Sequence, residues 1–134
     1  MPSMSRIARW MLACTCACLV LLVAAMPPAQ AAALAPTETE KIEALIAHVE
    51  GLRDAKFVRN DVEYDAKTAG KFLRGKWDAN KAKIDTAQDF IEQAASVSST
   101  TGKPYLIRFK EGKEVKSGEY LKEQLKKLEM RPSK

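Results

Sequence analysis

The chain has 134 residues, of which 22 are lysine or arginine, 17 are aspartate or glutamate and one is histidine, for a net charge of +5 at pH 7. Length of this order supports one domain, and so mild a basic excess does not by itself imply a polyanion partner such as nucleic acid. All three cysteines, Cys14, Cys16 and Cys18, fall in one apolar stretch near the N-terminus, so the rest of the chain has neither a disulfide framework nor a cysteine-based metal site.

That stretch has the three parts of a secretory signal peptide: a basic lead with Arg6 and Arg9, an apolar run from Trp10 to Met26, and a small-residue exit at Ala29-Gln30-Ala31. The apolar run is at the short limit for spanning a bilayer and Pro27-Pro28 stop its helix, so cleavage is expected rather than anchoring, with no stable membrane insertion afterwards. More apolar chain follows Cys14 and Cys18, which argues against a lipid anchor. Residues 1–31 are thus read as the signal peptide, with cleavage after Ala31 or Ala33, followed by a flexible leader (32–36), one domain (37–130) and a tail (131–134). Cleavage after Ala31 leaves 103 of the 134 residues, with 20 basic against 17 acidic side chains. With no thiol left, an apolar core must stabilise the domain alone.

In chain order, Thr37 with Glu40 makes a capping box, and Ile42, Leu45, Ile46, Val49 and Leu52 recur at helical spacing, predicting an amphipathic helix that ends between Gly51 and Ala55. Phe57-Val58 and Val62-Glu63-Tyr64 flank Asn60-Asp61, a pair suited to a tight hairpin turn. Asp65 caps a second helix with Ala66, Ala69, Phe72, Leu73 and Trp77 on its apolar side; Gly70 and Gly75 each weaken it by roughly 1 kcal/mol. A third helix opens at Asp85 or Thr86, with Ala87, Phe90, Ile91 and Ala94 on one face. The hydroxyl-rich segment Ser96 to Gly102 leads to the strongest strand signal, Tyr105 to Phe109, with a return strand around Val115. Ser117 is expected to cap a last helix with Tyr120, Leu121, Leu125 and Leu128 inward. Trp77, Phe90 and Leu106 are expected in the core. The fold class is α+β: a small single domain of order α-β-β-α-α-β-β-α, with two short antiparallel hairpins packed against about four helices.

Several motifs resemble functional ones and fail. Asp61, Glu63 and Asp65 alternate as in a calcium loop, but Ala66 stands where its glycine belongs and Phe72 where its bidentate glutamate belongs. Gly102-Lys103 lacks the earlier glycine of a phosphate loop, Val97 standing there, and Pro104 replaces the following hydroxyl residue. His48 has no second histidine or cysteine to share a zinc ion, so no metal and no cofactor are expected. Two surfaces remain. One joins Arg59 and Asn60 with the loop residues Ser98, Ser99, Thr100, Thr101, Lys103 and Tyr105, which could bind a sugar or a small anion or merely connect two elements. The other is a basic stripe of Lys67, Lys71 and Arg74 at i, i+4 and i+7; aromatic residues are not interleaved with it, as single-stranded nucleic acid would require.

The runs F-V-R-N-D-V-E-Y-D (57–65), K-F-L-R-G-K-W (71–77), I-D-T-A-Q-D-F-I (84–91) and A-A-S-V-S-S-T-T-G-K-P-Y-L-I (94–107) resemble the YfeK-like family of small bacterial periplasmic proteins. The resemblance implies export to the periplasm and the extent of the domain; it implies no mechanism, since the family has no established activity. The family pattern has glycine where this chain has Asp61, a departure that bears on the turn rather than on function. The expectation from the residues is a periplasmic, non-enzymatic domain that binds an unidentified protein or an envelope glycan through the 96–105 loop with Arg59 and Asn60. The alternative is a small hydrolase or transferase acting on an envelope glycan, using Glu63 or Asp65 with a loop hydroxyl.

Overall fold

The computed structural model describes residues 36–131. The predicted signal peptide, leader residues 32–35 and tail residues 132–134 lie outside the described residues. Helix α1 (Glu38–Gly51) opens with the capping box: Thr37 Oγ1 accepts the Glu40 N–H at 3.2 Å and Glu40 Oε2 accepts the Thr37 N–H at 2.7 Å. Its buried residues Ile42, Leu45, Ile46 and Val49 form one stripe, each worth roughly 1.5–3 kcal/mol when fully removed from water. That stripe makes α1 the central helix, in contact with each of the other three.

Strands β1 (Lys56–Arg59) and β2 (Val62–Tyr64) are joined by Asn60 (φ 51°) and Asp61 (φ 67°). Both residues are left-handed, the geometry that matches the twist of a two-residue hairpin and that glycine adopts without strain. Asp65 then accepts the Thr68 N–H at 2.7 Å and starts α2 (Ala66–Ala79). After a 3-10 turn (Lys81–Lys83), Thr86 and Asp89 form a second capping box on α3 (Ala87–Phe90). The helix continues through Ile91–Ala95 as a wider π turn, ended by Ser96 Oγ donating to Ile91 O at 2.6 Å. Strands β3 (Leu106–Arg108) and β4 (Glu114–Lys116) and helix α4 (Ser117–Glu129) complete the α-β-β-α-α-β-β-α order.

The two hairpins are not separate. Antiparallel pairing of β1 with β3, Phe57 opposite Ile107, merges them into one four-stranded sheet of order β2-β1-β3-β4. Tyr64, Phe57, Ile107 and Val115 face one another across the strands, and this side packs on the helices. The alternating positions, including Glu63, Val58, Leu106 and Lys116, form the other side.

Three expectations need correction. Leu106 is half-buried outside the helix-packed core, because the register gives the inward position to Ile107. Trp77 is also half-buried, set edge-on to the fully buried Phe90 with ring centroids 6.3 Å apart. Ser117 is the first residue of α4 rather than its cap; it is buried, and its N–H donates to Tyr105 O at 2.8 Å.

Candidate functional site

The segment between α3 and β3 is a compact loop rather than a slack connection. A bridge between Val97 and Pro104 closes it, Ser98 N–H donates to Lys103 O at 2.9 Å, and Gly102 (φ 70°) donates to Ser98 O at 2.8 Å. Tyr105 N–H donates to Ser96 O at 2.9 Å, and the start of α4 lies so close that a Cβ on Gly118 would run into Ser96 Oγ. The base of the loop is therefore fixed by both neighbouring elements.

Its far side meets the hairpin turn. Thr101 Oγ1 donates to Asn60 Oδ1 at 2.6 Å, and Lys103 Nζ lies 2.5 Å from Asp61 Oδ2. Candidate residues some forty positions apart in the chain are thus brought to one corner of the domain. Their tasks differ. Ser98 is only 1% exposed and its hydroxyl accepts the Thr101 N–H, so it offers no surface to a ligand, contrary to the expectation. Thr101, Lys103 and Asn60 spend polar groups holding the corner together, whereas Ser99 and Thr100 are exposed at the loop tip.

Behind the corner, Tyr105 of the predicted site is paired with Phe72, which the prediction did not include. Phe72 and Tyr105 meet edge to face, centroids 5.8 Å apart. Arg59 lies over the Phe72 ring at 4.4 Å; Lys76 Nζ is 5.2 Å from the Tyr105 ring and 3.2 Å from Tyr105 Oη. Neither cation has an ion-pair partner among the described residues, and Arg59 Nε is a buried polar atom without a hydrogen bond. Between α2 and the sheet, Arg59, Phe72 and Tyr105 border a mainly apolar cavity of about 110 Å³, lined also by Phe57, Ala69 and Leu73. Sequence periodicity assigns Phe72 only to the apolar side of α2, and Lys76 carries no signal of its own; the contact with Arg59 is long-range and has no local signature.

The basic stripe is not a single surface. Arg74 reaches across to α1, where Nη1 is 2.5 Å from Glu43 Oε2 and Nε is 3.7 Å from Glu50 Oε1, and the Glu43 bond raises its pKa. Lys67 and Lys71 remain exposed beside Glu50, Arg53 and Asp65. The two acids of the catalytic alternative are engaged by other partners. Glu63 pairs with Arg108, and Asp65 is held by the Thr68 backbone, which lowers its pKa. His48 Nε2 is 2.9 Å from Tyr120 Oη, while burial and the charges of Lys127 and Arg131 lower its pKa. Among the described residues, no three His, Cys, Asp or Glu side chains cluster to hold a metal ion, and no helix is long and apolar enough to cross a membrane.

No solved structure matches the chain. Over 68 residues it is 40% identical to the uncharacterized protein YfeK of Salmonella typhimurium (strain LT2), a match that covers 51% of this chain and 57% of that protein, so just over half the relative's length is spanned. The family model described as a family of unknown function, DUF5329, matches residues 36–129, essentially the whole folded part, and the chain belongs to that family.

Proposed function

We propose that this is an exported, periplasmic binding domain without catalytic activity, whose contact surface is the corner formed by the β1–β2 turn and the 96–105 loop. The observation that carries the reading is the convergence at this corner of a fixed loop, an exposed hydroxyl tip and a guanidinium lacking an internal partner. A fold stabilised by apolar packing has no need of a charged group left unpaired against an aromatic ring, since an unsatisfied buried polar atom costs about 1–3 kcal/mol. A partner from the cell envelope that supplies acceptors would remove that cost. The catalytic alternative has weaker support, because Glu63 is in an ion pair and Asp65 is a helix cap with a lowered pKa, the reverse of a general acid at neutral pH.

Export is tested by the intact mass of protein released by osmotic shock. A mature chain beginning at Ala32 or Leu34 is expected, and a membrane-retained species still carrying Trp10 would contradict it. Binding is tested by affinity capture from periplasmic extract with the wild type and with a Ser99→Ala, Thr100→Ala, Arg59→Gln variant. The variant should lose the wild type's partner while keeping its melting temperature; capture that survives all three changes would remove the corner from consideration.

A further inference from the structure

The cavity beside the corner has the composition of a small-molecule site. Its walls are Phe57, Ala69, Phe72 and Leu73, with Tyr105 at one side and Arg59 on its border. A volume of about 110 Å³ is of the same order as the engineered apolar cavity of about 150 Å³ that accepts benzene. It is therefore large enough for a ring or a short alkyl chain, and too apolar to hold ordered water well.

Among its lining residues the charged one is Arg59, beside the neutral Tyr64, Thr68 and Ser117. Arg59 has no ion-pair or hydrogen-bond partner among the described residues, and its Nε is buried on the cavity wall. Lys76, also without an ion-pair partner there, lies against the same Phe72–Tyr105 pair, 5.8 Å from the Phe72 centroid. A guanidinium offers a planar fork of donors that fits a carboxylate with two parallel bonds, and such bonds strengthen where water is excluded.

We propose that this cavity binds a small amphipathic carboxylate, its short alkyl or aromatic tail among Phe57, Ala69, Phe72 and Leu73 and its carboxylate on Arg59, with Lys76 adding positive potential. The assignment rests on the binding-domain reading and names a ligand class for it. A neutral apolar molecule would fill the void and leave Arg59 Nε unsatisfied. An anion without a tail, such as acetate or phosphate, would pair with Arg59 and leave the void empty. The requirement for both parts is what distinguishes this site from a packing defect or a surface charge.

The test is a two-dimensional amide NMR titration of protein recovered from cells expressing the full chain, with hexanoate, hexanamide and acetate as probes. Hexanoate should give saturable shifts at residues 57–59, 69–73 and 105, with affinity about tenfold or more above either control. Arg59→Gln should abolish the preference for hexanoate over hexanamide. Ala69→Val, which adds methyl groups on the cavity wall and touches no charge, should weaken hexanoate and not restore acetate. Equal binding of hexanoate and hexanamide, or no saturable shift at these residues, overturns the proposal. If the probes fail while the corner variant still loses its captured partner, only the ligand class falls; if the corner variant also keeps its partner, the binding-domain reading falls with it.

Discussion

His48 is the chain's single histidine, and its surroundings make a pH prediction. Burial, with Lys127 and Arg131 nearby, disfavours the imidazolium, so the folded pKa lies below the unfolded value of 6.5. As pH falls through that value the unfolded chain takes up the proton first, and stability declines from there down to the folded pKa. Above it the contribution is fully present. Glu38, Glu40, Asp65, Asp89 and Glu92 have lowered pKa values through hydrogen bonds, so their losses belong to a separate, more acidic window. Melting curves by circular dichroism between pH 7.5 and 5.5 should show a fall that His48→Gln flattens, and an identical fall in the variant would clear His48. At the same scale, Phe90 is fully buried, so Phe90→Ala should cost about 3–5 kcal/mol in urea melts. Trp77 keeps one side in solvent beside Lys81, and Trp77→Ala should cost distinctly less. The reverse order would place the core on the wrong side of α2.

The glycines of two helices separate local propensity from packing. A Cβ on Gly75 meets nothing, so Gly75→Ala should stabilise the domain by about 0.5–1 kcal/mol. One on Gly118 meets Ser96 Oγ and approaches its Cβ at 3.0 Å, so Gly118→Ala should destabilise despite the same gain in propensity. Chemical denaturation of both variants decides it; a Gly118→Ala protein as stable as the wild type would show that the loop base gives way freely. Elements made by neighbours in sequence were legible as sequence. Thr37 with Glu40, Thr86 with Asp89, and Asn60-Asp61 each act over four residues or fewer, and their side chains do what their chemistry dictates. What the sequence did not disclose is long-range. Pairing of β1 with β3 links residues about fifty apart, and it decides which face Leu106 takes. Arg74 meets Glu43 at a separation of 31 residues, so no stripe count on α2 alone could show that it is already paired.

Among the described residues, four helices stabilise one side of a small sheet and leave a corner where turn, loop and α2 meet. The corner was partly visible in the sequence as a surplus of hydroxyls and Arg59 beside a turn. The cavity behind it was not, because Phe72 and Leu73 read as ordinary core. Arg59, proposed to serve a ligand rather than the fold, is subject to two opposing energetic terms. Stacking on Phe72 stabilises by about 0.5–2 kcal/mol, and the unsatisfied Nε costs about 1–3 kcal/mol. Urea unfolding of Arg59→Leu, which removes the charge and retains an apolar side chain against Phe72, measures their balance directly. The unfolding free energy should be unchanged or raised, and a loss above ~2 kcal/mol would show instead that the guanidinium holds the fold together.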